Sequence, residues 1–97
     1  MYSAIWSKAA TSHVREILEY VRTENPPVAR RLANAFALFT DLVAQMPEIA
    51  PVWKENSRYR IWSGIYPYKI FYTVNEQEEQ VFISAVRHGK RKNPHLP

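Results

Sequence analysis

The chain contains no cysteine and only two glycines, Gly64 and Gly89. The first absence excludes a disulfide framework and thiolate metal sites. The second excludes a glycine-rich loop of the kind that cradles phosphates. No apolar run approaches the roughly 18 residues that a membrane span needs, so no membrane partner is expected. No signal-peptide pattern opens the chain, and the expected compartment is the cytoplasm. The three histidines, His13, His88 and His95, lack metal-ligand spacing, so neither a metal nor a cofactor is expected. No local Ser-His-Asp arrangement exists. The carboxylates Glu76, Glu78 and Glu79 gather in one polar turn instead of forming a catalytic pair.

What is present fits one small folded domain of 97 residues. A hydrophobic fraction of 46% against 23% charged argues against a disordered chain. The net charge of +4 is unevenly placed. Residues 1–50 hold five basic and five acidic groups, and residues 51–97 hold eight basic and four acidic ones. All of the excess therefore sits in the second half. Arg87, Lys90, Arg91 and Lys92 close the chain with no acid among them. Such a patch favours nucleic acid or an acidic protein partner. Residues 92–97, with Lys92, Asn93 and two prolines, are expected to form a flexible tail.

Hydrophobic periodicity divides the chain. Ser3-Ala-Ile-Trp6 reads as a short strand. Ala10, Val14, Ile17, Leu18 and Val21 fall on one helical face. Asn25-Pro26-Pro27 breaks that helix, and a second starts near Pro27. Its apolar stripe runs from Val28 to Met46, and Pro47 stops it. The short link requires the two helices to pack antiparallel. Beyond a loop at 48–57, the period changes from 3.6 to 2. Strands are expected at 58–63, 68–74 and 81–86, with a turn or bulge at 64–67. The fold class is α+β with order β-α-α-β-β-β: a helical hairpin packed on one face of a small antiparallel sheet. The first strand must join that sheet, because four residues do not stand alone. The other sheet face has no second layer, so a partner is expected to use or cover it.

Strict alternation places Lys69, Phe71 and Thr73 on one face of the third strand. In the last strand it groups Val81, Ile83, Ala85 and Arg87 opposite Phe82, Ser84, Val86 and His88. Basic and aromatic groups thus meet near one end of the sheet. They suit phosphate contacts with base stacking, or an acidic peptide. Within the basic cluster, His88 is expected to be neutral and able to act as a base. The plainer reading, a histidine that caps a strand end, carries more weight from sequence. Trp6 reads as core, Trp62 as core or exposed face, and Trp53 as a lid over the core edge.

The order and spacing of several elements resemble the RelE/ParE superfamily of bacterial toxins from type II toxin-antitoxin systems. They are Trp6 with Lys8-Ala9, Tyr20-Val21, Asn25-Pro26 with Ala29 and Leu32, Met46-Pro47, Arg60, Tyr68-Lys-Ile-Phe-Tyr72, and Val86-Arg-His-Gly-Lys-Arg91. The resemblance runs from about Ser3 to Asn93. It implies a toxin neutralised by a cognate antitoxin, whose C-terminal segment covers the toxin's groove and sheet.

Two activities are implied by its branches. ParE-like members, also known as plasmid stabilisation proteins, inhibit DNA gyrase. RelE-like members are endonucleases that cut mRNA on the ribosome. In the nuclease reading the catalytic residues are Lys69, His88 and Arg91. Lys69 and Arg91 would stabilise the phosphorane charge, and His88 would move the proton. In the gyrase reading the target and antitoxin surface combines Arg60, Trp62, Lys69 and Phe71 with Arg87, His88, Lys90 and Arg91. The long hairpin, Arg60 and the His-Gly-Lys-Arg close place the chain nearer the ParE branch. No tyrosine follows Tyr72, where nuclease members often carry one. A non-toxic relative that still binds antitoxin is the third reading.

Overall fold

Ser7 starts the first helix because its hydroxyl accepts a hydrogen bond from the Ala10 amide, 2.9 Å away. In this computed structural model, which describes residues 1–97, α1 spans Lys8–Glu24 and α2 spans Pro26–Gln45. A single residue, Asn25, separates them. It closes α1 through its amide to the Val21 carbonyl and opens α2 by accepting from Val28 through Oδ1. Pro26 and Pro27 occupy the first helical positions, where their missing donors cost nothing. The resulting hairpin lays Ala10, Phe36, Phe39 and Val43 against the sheet.

The strands are β1 (Ser3–Trp6), β2 (Arg60–Ile65), β3 (Tyr68–Asn75) and β4 (Gln80–His88). Their order in the sheet is β1-β4-β3-β2. β2, β3 and β4 form the expected antiparallel meander. β1 joins the sheet, as its length demanded, but it pairs parallel to β4. Loop 51–59 already lies along the start of β2, with Ile61 donating to Pro51 and Trp53 to Tyr59. The edge of β4 was the place left for β1.

Strict alternation fails in β4. Tyr72 pairs with Ile83 and Phe71 with Ala85, so Ser84 is an extra residue without a partner on β3. This bulge inverts the phase of everything after it. Val86 and His88 join Ile83 on the helix side, while Ala85 and Arg87 join Phe71 on the other. The expected grouping of Val81, Ile83, Ala85 and Arg87 is therefore corrected. A second shift falls between Trp62 and Ile65 in β2, within the segment expected to turn or bulge.

Ile70, Tyr72, Val81, Ile83 and Val43 are fully buried between sheet and hairpin. Each contributes about 1.5–3 kcal/mol by leaving water. The second face is not bare. Phe71, Tyr59 and Ala85 form a smaller cluster there, covered by Trp53, Ile61 and Leu96. The C-terminal residues lie along this face. Pro94 is buried, and Asn56 donates to the Pro97 carbonyl at 3.4 Å. Within 92–97, Pro94 and Leu96 meet this apolar surface, while Lys92, Asn93, His95 and Pro97 are exposed. No helix is long and apolar enough to cross a membrane.

Candidate functional site

The free edge of β4 builds the site. β1 stops opposite Ile83, so residues 84–88 have no strand on that side. The start of α1 takes the strand's place. The Ser7 hydroxyl donates to the Ser84 carbonyl, and the Val86 amide donates to Nδ1 of His13 at 3.2 Å. Burial pushes the His13 pKa below the ordinary histidine value; the nearby Arg87 charge adds to this, and Glu16 opposes it.

Between α1 and this edge lies an open cleft of about 340 Å³. His13, Glu16, Ile17 and Tyr20 line one wall. Tyr68, Val86, Arg87, His88 and Arg91 line the other. Arg87 starts from the second face, opposite Lys69, yet it is among the residues that line the cleft. Its Nε is buried and has no hydrogen-bond partner. Tyr20 is 72% exposed, an open aromatic face at the rim. Burial raises the Tyr68 pKa, with Tyr20 adding to it.

His88 stands edge-on to Tyr68, with ring centroids 5.7 Å apart. Its Nδ1 accepts from the Lys90 amide at 3.1 Å, and its carbonyl accepts from the Arg91 amide at 2.9 Å. A neutral ring held this way carries its proton on Nε2. The ring thus caps the end of β4 through Nδ1. Gly89 closes the same turn by donating to the Pro67 carbonyl at 2.7 Å. A Cβ at Gly89 would sit 3.0 Å from that oxygen, so a side chain there would push the turn slightly away from the β2–β3 hairpin.

The other expected residues go elsewhere. Lys69 starts from the second face and does not line the cleft, but its Cε comes within 3.9 Å of a Cβ position on Gly89 and so lies against the basic turn. Lys90 is exposed on the turn after β4. Arg60 lies at the opposite end of the sheet, beside Tyr72, and donates to the carbonyls of Ala50 at 2.7 Å and Glu48 at 3.4 Å. Trp62 stacks on Phe39 with centroids 5.8 Å apart, on the helix side. Phe71 is 0% exposed beneath Trp53, so it presents no surface to a partner. The expectation that Phe71 and Trp62 share a binding face with the basic turn is corrected, because loop 51–59 buries one and α2 holds the other.

Sequence reasoning passed over His13, Glu16, Ile17, Tyr20 and Tyr68 as a site. The signal was there: positions 13, 16, 17 and 20 share one helical face. No group of three or more histidine, aspartate or glutamate side chains is placed to hold a metal ion.

The family model for the ParE toxin of type II toxin-antitoxin systems, parDE, matches residues 4–93. Among solved structures, the chain is similar to one described as the chromosomal ParDE TA system from P. aeruginosa. The TM-score is 0.76 over 91% of this chain and 96% of that one, at 15% sequence identity. A likeness at that identity speaks for the fold. No curated protein matches the chain. With almost its whole length matched by one family model, the chain belongs to the ParE toxin family of type II toxin-antitoxin systems.

Proposed function

We propose that this chain inhibits DNA gyrase through the basic turn at Arg87, His88, Lys90 and Arg91. A cognate antitoxin then acts by covering that surface. The observation that favours this reading over mRNA cleavage is the match of the ParE toxin family model to residues 4–93. His88 points the same way, since its Nδ1 is taken by the Lys90 amide.

The test is a supercoiling assay with purified chain, gyrase from the same organism, relaxed plasmid and ATP. Lost supercoiling with accumulated linear DNA is the expected result. Normal supercoiling, together with codon-phased cuts in ribosome-bound mRNA, would overturn the proposal in favour of the nuclease. Replacing Lys90, Arg91 and Lys92 by glutamine should weaken the inhibition about tenfold or more, as expected for three lost surface charges in a steered encounter.

A further inference from the structure

Nothing in the fold accounts for Tyr66. It stands at the tip of the β2–β3 hairpin, between Ile65 and Pro67, and is 78% exposed. It belongs to neither apolar cluster. Turns favour glycine, asparagine, aspartate or serine, not a large aromatic ring left in water. The 88–91 turn lies against this tip. Gly89 donates to the Pro67 carbonyl, and the Lys69 Cε lies 3.9 Å from where a Gly89 Cβ would be. The two turns therefore form one end of the sheet. Segments 66–69 and 87–92 bring Lys69, Arg87, Lys90, Arg91 and Lys92 to that end and no carboxylate. Glu16, which lines the cleft with Arg87 and Arg91, offsets one of these five charges. Lys90, Arg91 and Lys92 are exposed like Tyr66. The far end of the same two strands is the β3–β4 turn, with Glu76, Glu78 and Glu79. β3 has eight residues, so at about 3.3 Å per residue the two ends stand roughly 25 Å apart. That is about three Debye lengths at physiological salt, so the charges of the two ends do not cancel. A polyanion is drawn to the tip and repelled by the far end.

We infer that this tip binds single-stranded DNA, with the Tyr66 ring stacked on an unpaired base and Lys69, Lys90 and Arg91 on the phosphates beside it. Every base offers a flat face to an aromatic ring, and a cationic surface follows the backbone. An acidic peptide would satisfy the charges but gives the exposed ring no flat partner. Bases paired in a duplex present only their edges in the grooves, so the ring selects an open strand. The inference goes beyond the gyrase proposal. It rests on that proposal only for where such a strand arises, in the DNA that gyrase has cut.

The experiment titrates the whole chain into a short fluorescein-labelled oligothymidylate and follows anisotropy. A duplex and an oligouridylate of the same length are titrated in parallel, and polyglutamate is added as a competitor. The expected result is saturable binding of oligothymidylate, about tenfold weaker in Tyr66→Ala and restored in Tyr66→Trp, the scale of one stacked base. Lys69→Gln should reduce the slope of log affinity against log salt by about 0.7, as one lost phosphate contact does on a single strand. Tyr66 is exposed and outside both clusters, so its variants keep the fold. Each of these results would overturn the inference: no saturable binding, wild-type affinity in Tyr66→Ala, tighter binding of the duplex or of oligouridylate, or displacement by polyglutamate at equal charge concentration. No gyrase enters the titration. Gyrase inhibition without strand binding therefore sinks this inference alone, and strand binding without gyrase inhibition sinks only the gyrase proposal.

Discussion

Nδ1 of His13 closes the open edge of β4, so a proton on that atom and the hydrogen bond from Val86 exclude each other. Burial and Arg87 hold the folded pKa below the ordinary value of 6.5. The unfolded chain therefore takes up the proton first. The contribution of His13 to stability is complete above about pH 6.5 and declines as pH falls toward the lowered folded value. Asparagine places an acceptor oxygen near the same point and does not titrate. Denaturant unfolding of His13→Asn should match the wild type at pH 7.5 and exceed it at pH 5.5; equal pH slopes in the two proteins would rule this account out. Tyr72 is a second residue with a defined duty. Its buried hydroxyl donates to the Pro47 carbonyl at 2.8 Å and accepts from the Ala50 amide at 3.3 Å. Burial raises its pKa, while the Ala50 hydrogen bond and the Arg60 charge oppose that rise. Tyr72→Phe should cost about 1–3 kcal/mol, because both backbone partners lose their acceptor or donor in a closed site. A midpoint unchanged in urea would show that water replaces the hydroxyl. Arg60, which was expected on the binding surface, ties down the same 47–50 loop.

At the scale of elements, Asn25 serves two helix ends at once. Asn25→Ala should lower stability by about 1 kcal/mol through loss of the α2 cap, and Asn25→Asp should restore it. Thermal melts of the three proteins decide this. The helices, their proline break and the three-strand meander were legible from period and punctuation, because those patterns are local. The bulge at Ser84 was not. Strict alternation from Val81 to His88 reads equally well with or without an extra residue, and only the pairing of Phe71 with Ala85 reveals it. That one residue decides which face Arg87 and His88 start from, and strict alternation places both on the wrong one. The parallel seat of β1 was hidden for a similar reason. Four residues carry no sign of direction, and the outcome depends on loop 51–59 occupying the other edge.

Across the whole molecule, the two faces of the sheet are closed by different means, a helical hairpin on one and loop 51–59 together with Pro94 and Leu96 on the other. Leu96 and Pro94 complete the cluster around Phe71. Deleting residues 94–97 should therefore destabilise the protein by about 1.5–3 kcal/mol, the burial of one large apolar side chain, and change the fluorescence of Trp53. An unaltered unfolding midpoint would mean that the tail only rests there. Truncation from Lys90 onward consequently removes charge and packing together, and the glutamine series is the cleaner probe of gyrase contact. The strand order has a consequence in time. β4 is the last strand to be synthesised, yet it lies between β1 and β3. The tie between Ser7 and Ser84 spans 77 positions. Until β4 is in place, the sheet lacks the strand between β1 and β3, and the turn at 88–91 has no strand to stand on. The cleft beside α1 therefore takes shape late in folding, once β4 has reached back to the start of the chain's fold.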